Sequence, residues 1–149
     1  MGISEIVSSV IKYCSESPSF VQCVQSFRTI GLERTVSDLV DRGLLPKDYA
    51  SGGLDDEEYE KWEKLIAVLS GDPRAVADHL ADNFISQCIE GECDTECDFG
   101  KIVEKYFLPD VQEDLRAIVI KHIDEDTWGS IEKEFVEACE ERLDVLVND

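Results

Sequence analysis

Basic residues are scarce in this chain. Lys and Arg number 14 against 34 Asp and Glu, a formal charge of −20 at pH 7. Such a surface repels phosphate backbones and anionic lipid headgroups, so direct nucleic-acid binding is not expected. Long apolar runs are missing too. Stretches such as Ala117-Ile118-Val119-Ile120 are far shorter than a membrane span, and no membrane partner is expected. Met1-Gly2-Ile3-Ser4-Glu5 has no basic stretch leading into an apolar run, so a cytoplasmic location is expected. Gly2 invites a myristoylation reading, but Ile6 and Val7 stand where a Ser or Thr is wanted. There are only two histidines, His79 and His122, and no phosphate-cradling Gly-rich loop. No Ser-His-acid or Cys-His arrangement shows a sequence signature, so a non-enzymatic protein without cofactor is expected. Strand-like alternation is also absent.

What is present is helical periodicity. The 149 residues, 43% hydrophobic, suffice for one domain with a real core. Apolar stripes recur at three- and four-residue spacing: Ile3, Ile6/Val7, Val10/Ile11 and Cys14; then Phe20, Val24 and Phe27; then Leu32, Val36 and Leu39. Tyr59, Trp62, Leu65/Ile66 and Leu69 make a fourth stripe, and Val76/Ala77, Leu80/Ala81 and Phe84/Ile85 a fifth. Ile102, Val103 and Tyr106 follow, then Val111, Leu115 and Val119, and finally Trp128, Ile131, Phe135 and Ala138/Cys139. Stop and start signals separate them. Ser17-Pro18 reads as an N-cap and first helical residue, and Gly43 before Leu44 and Pro46 reads as a left-handed C-terminal cap. Asp55, Asp72 and Asp110 read as further N-caps, the last paired with Glu113. Residues 46–54 and 90–98 read as loops, and the last helix is placed from about Thr127 to Val147. The expected fold is all-α, a compact bundle of seven to eight short helices with Trp62 and Trp128 among its anchors.

Three short segments recur in the same order. Phe20-Val21-Gln22-Cys23-Val24 resembles Phe84-Ile85-Ser86-Gln87-Cys88-Ile89, and Leu39-Val40-Asp41-Arg42 resembles Ile102-Val103-Glu104-Lys105. Leu54-Asp55-Asp56-Glu57 with Tyr59 resembles Ile123-Asp124-Glu125-Asp126 with Trp128. A single domain over 1–149 is expected, with an internal duplication, roughly 1–70 and 71–149, as the reading these matches suggest; chance similarity of short amphipathic segments is the other.

The six cysteines leave three readings open. Cys88, Cys93 and Cys97 are close enough to hold zinc, with Cys139 or His79 as a fourth ligand, yet no C-x-x-C pair occurs. A disulfide joins Cys93 to Cys97 or Cys14 to Cys23 in the second. In the third, the favoured one, all thiols are free and Cys23 and Cys88 are small core hydrophobes. Calcium loops starting at Asp94 or Asp124 fail at the closing ligand: position twelve is Lys105 in one and Phe135 in the other. A helix-turn-helix ending at Pro46 has no arginines nearby beyond Arg28, Arg34 and Arg42.

The acids themselves remain. Residues 75–149 hold 21 acids and 6 bases, residues 1–74 hold 13 and 8. On the last helix Glu134, Glu137, Glu141 and Asp144 are spaced three, four and three, which puts them on one face about 5–6 Å apart. That resembles the roughly 6–7 Å between successive phosphates of a strand. Glu132, Glu140, Asp124 and Asp126 add to the field. The expected function is an acidic protein that docks on a basic protein surface, such as a polymerase or nuclease channel, and inhibits or regulates it by charge mimicry. A viral or archaeal source would suit it. The alternatives are an assembly module, a homodimer included, whose acids only keep it soluble, and a small metal-binding protein using the Cys88–Cys97 region.

Overall fold

The computed structural model describes residues 2–51, 55–89, 98–109 and 111–148. Among them are eight α-helices and no strand: α1 (Ile3–Ser15), α2 (Phe20–Ile30), α3 (Leu32–Asp41), α4 (Asp56–Leu69), α5 (Pro73–Ile89), α6 (Phe99–Tyr106), α7 (Glu113–His122) and α8 (Glu125–Asn148). One 3-10 turn, Lys47–Ser51, lies inside the expected 46–54 loop. The all-α expectation holds. α8, at 24 residues, is not short.

The helices group into two units. The first takes Met1–Ser70 with Asp110–Ile123, the second Gly71–Pro109 with Asp124–Asp149. Residues 110–123 thus belong with the first unit, and neither unit is a continuous half of the chain.

In the first unit α1 packs on α2, α3, α4 and α7. Its stripe Ile6, Val7, Val10, Ile11 and Cys14 is wholly buried. The local signals are mostly where they were placed. Asp55 accepts the Glu58 N–H at 2.8 Å, which caps α4. After α3, Gly43 takes φ +75° while the Leu44 N–H reaches the Leu39 carbonyl at 2.9 Å and the Gly43 N–H the Val40 carbonyl at 3.0 Å, a Schellman closure. The start of α2 differs. Ser19, not Ser17, is the N-cap, accepting the Gln22 N–H at 3.3 Å, and Pro18 lies before the helix. α7 also differs: Gln112 precedes its first residue without a side-chain cap, and Asp110 lies outside the described residues.

Cys14 and Cys23 form a disulfide between α1 and α2, with Cα atoms 5.6 Å apart. This corrects the reading in which all thiols are free. Cys14 is buried as its stripe requires, but Cys23 is only half-buried and serves as a cross-link, not as core filling.

In the second unit α5 packs on α8 and α6. Six aromatic rings join the three helices. Phe84 meets Tyr106 and Phe135 at centroid distances of 6.2 and 5.9 Å. Phe99 meets Phe135 and Trp128 at 5.6 and 6.4 Å, and Trp128 meets Phe107 at 5.6 Å. Such tilted and edge-on pairs add roughly 0.5–1.5 kcal/mol each beyond burial. Of the two expected anchors, Trp62 is buried and Trp128 half-buried.

The segments that recur in sequence lie on α2 and α5, on α3 and α6, and at the starts of α4 and α8. Their helices pair alike within each unit: α2 packs on α3 and α4, and α5 on α6 and α8. α1 and α7 have no counterpart in the second unit.

Two outcomes follow from these devices. Replacing Gly43 by Ala, whose Cβ is disfavoured at φ +75°, lowers stability by about 1–2 kcal/mol in urea unfolding, and Gly43→Asn by less. Reducing the Cys14–Cys23 link, which spans nine residues, costs about 3 kcal/mol by lost loop constraint; an unchanged midpoint after reduction would contradict a stabilising role.

Candidate acidic interaction face

The acids of α8 do not form one row. Glu134 and Glu141 lie on the flank that faces α5, and Arg74 reaches both. Its Nη1 is 3.3 Å from Glu134 and its Nη2 2.7 Å from Glu141, while its Nε meets Asp78 on its own helix at 3.2 Å. Arg142, on α8, answers from the other side of the seam. It donates from Nε to Asp82 at 2.8 Å, from Nη2 to Asp78 at 3.3 Å, and from Nη1 to the Ala138 carbonyl at 3.1 Å. Hydrogen bonds that Arg74 donates to Glu141 and then to Glu134 hold its guanidinium protonated above its usual range. For Arg142, burial pulls the other way, but the bonds it donates to Asp82 and Asp78 and the charge of those carboxylates outweigh it and raise its pKa.

The remaining acids stand apart from this ladder. Glu132, Glu137, Glu140 and Asp144 are exposed, and no ion pair joins them to a described residue. Glu137, Glu140 and Asp144 follow a spacing of three and four, so they share the ridge of α8 turned away from the buried Ile131, Phe135 and Ala138. Thus the structure keeps half of the expected row, Glu137 and Asp144, on the outer face and adds Glu140 to it. Beside that ridge, Val136 and Leu143 are 50% and 47% exposed. Cys139 sits between them, half-buried, with burial pushing its thiol pKa up against the opposing charge of Arg142.

At the head of α8, Asp124 accepts the Thr127 N–H at 2.7 Å. Its pKa is lowered, chiefly by side-chain and backbone hydrogen bonds from Thr127. Its stabilising contribution is therefore present above the ordinary carboxylate range and fades as pH falls through its own lower pKa. Asp124 works as a helix cap, whereas Asp126 is exposed in the first turn, where its charge suits the helix dipole.

The cysteine cluster lies largely outside this description. Cys93 and Cys97 are not among the described residues, and of Cys88 only its place in α5 is. Asp94 and Glu96 of the first calcium reading are likewise outside, while Asp98 caps α6 through the Lys101 N–H at 2.9 Å. Among the described residues, no group of three or more His, Cys, Asp or Glu is arranged to hold a metal ion. Nor is any described helix long and apolar enough to cross a membrane. His79 is buried, and His122 stacks on Phe20 with ring centroids 5.2 Å apart.

Comparison with protein-family models, with curated proteins and with solved structures finds no match to this chain.

The ladder itself is open to test. Replacing Arg142 by Met keeps the stem but removes the cation from Asp82 and leaves Asp78 to Arg74 alone. We expect a loss of about 1 kcal/mol at low ionic strength that shrinks by half or more in 1 M NaCl, measured by urea unfolding.

Proposed function

We propose that this chain is a non-enzymatic acidic binding protein that docks the outer ridge of α8 on a basic, nucleic-acid-binding surface of a partner protein, and inhibits or regulates it by standing in for the charge of the nucleic acid. The observation that carries this reading is the division of labour on α8. Glu134 and Glu141 are spent on Arg74, yet Glu137, Glu140 and Asp144 form no ion pair with any described residue, Lys133 four residues before Glu137 included. Like charges at this spacing cost a few tenths of a kcal/mol per pair. A cationic partner would relieve that repulsion on binding, and a charge of −20 would steer the encounter. Asp126 and Glu132 extend the field along the same helix.

A second reading has its own support. Val136 and Leu143 stand seven residues apart, two turns along α8, and both are about half exposed. An assembly module would use that apolar edge, with the acids keeping the free chain soluble. Light scattering separates the two: a dimer that persists unchanged from low to high salt favours assembly.

Affinity capture from a cell extract at low and high salt, read by mass spectrometry, identifies the partner. Charge mimicry requires that binding weaken at least about tenfold between 50 and 300 mM salt. The triple change Glu137→Gln, Glu140→Gln and Asp144→Asn should leave the circular dichroism spectrum intact and reduce affinity roughly tenfold or more. Salt-independent capture of the same partner by both forms would overturn the proposal.

A further inference from the structure

The first unit carries a cleft of about 530 Å³ beside its disulfide, large enough for a small molecule. Cys23 lies in its wall with Tyr13, Phe27, Glu16, Asp38 and Arg42. The two cysteines differ in exposure. Cys14 has no exposed surface, whereas Cys23 is half-buried and borders the open cleft. We propose that Cys23 is a thiol-exchange site, entered through this cleft by a small-molecule thiol that is neutral or cationic.

The chemistry is a two-step exchange. The incoming thiolate forms a bond to Cys23 Sγ as the Cys14–Cys23 bond breaks, and the electron pair leaves on Cys14 Sγ, which takes up a proton. A second thiolate then displaces Cys23, which is protonated in turn. Two small thiols are oxidised to their disulfide, and the protein disulfide is reduced by two electrons. Attack requires approach along the sulfur–sulfur axis from the exposed end, which selects Cys23 over Cys14. After the first step Cys14 is still held on α1 beside Cys23, so the link recloses unless the second thiol arrives.

Charge sets the selectivity. The cation in the cleft, Arg42, is already committed: its Nε lies 3.1 Å from Asp38, its guanidinium sits 4.5 Å over the Tyr13 ring, and it donates to the Tyr13 hydroxyl. Glu16 leaves the wall with a negative balance within a molecule of −20. An anionic thiol is repelled there and a cationic one gathered, over a range of about 10 Å at 0.1 M salt.

The test uses the full chain with its accessible thiols first blocked by N-ethylmaleimide under native conditions. Cysteamine or mercaptoethanesulfonate is added, the reaction is quenched with acid, and the adduct is located by peptide mapping. The mixed disulfide is expected on Cys23. Per thiolate, cysteamine should react about three- to tenfold faster at low salt, with the two rates converging at 0.5 M NaCl. Adduct on Cys14, rates indifferent to thiol charge, or exchange no faster than global unfolding would each overturn the proposal. Two variants check access independently of the bond. In Cys14→Ala the remaining Cys23 should be trapped readily by cystamine, and in Cys23→Ala the remaining Cys14 should resist it; equal trapping counts against the cleft. If either variant fails to fold, the mapping on the native chain still decides.

Discussion

A helix with acids on three sides can be buried along the fourth only if the carboxylates nearest the seam find cations. α8 meets this constraint with two arginines. Arg74 comes from α5 and takes Glu134 and Glu141; Arg142 comes from α8 and takes Asp78 and Asp82. The exchange is reciprocal, so each helix supplies the cation the other needs. Each contact is partly exposed, and an exposed pair alone contributes little. Their combined effect is specificity: with the charges interlocked, α8 cannot rotate on α5 without stranding carboxylates against one another. The aromatic rings of Phe84, Phe99, Trp128 and Phe135 then pack in the register so fixed.

That interlocking was invisible in the sequence for a simple reason. Arg74 lies 60 and 67 residues from its two glutamates, and no local rule connects them. Helical spacing alone put Glu134, Glu137, Glu141 and Asp144 on one face, which is geometrically sound. What spacing cannot say is where the seam of a neighbouring helix will fall, and here it falls between the members of that row. By contrast, the signals that act over three or four residues were legible: the left-handed Gly43, the caps at Asp55 and Asp72, the apolar stripe of α1. The small errors belong to the same class. Ser17 and Ser19 are both capable caps around one proline, and only the packing of Phe20 in the core decides between them.

The cysteines show a different limit. Free thiols were the favoured expectation, and spacing offered several pairings, because a helix stripe says that Cys14 is buried without saying what it meets. The turn between α1 and α2 settles it by bringing Cys14 and Cys23 to 5.6 Å between Cα atoms, within bonding range. The same turn creates the cleft against which Cys23 is left half exposed. A cross-link and its point of attack thus share one local cause.

The charge-mimicry proposal and the packing of α8 draw on different acids of one helix. A protein made acidic only for solubility gains nothing from keeping like charges adjacent, since scattered charges solvate equally well and repel less. A protein made acidic for a partner must hold some of them free of internal cations even where cations are close. On α8, Arg142 stands on the buried side of the helix, where its guanidinium reaches Asp78 and Asp82. Lys133, exposed on the same helix, joins none of the three. The ridge thus carries three acids and one cation, Lys133, that pairs with none of them, which leaves it a net negative charge. That uncompensated charge is the physical content of the binding proposal.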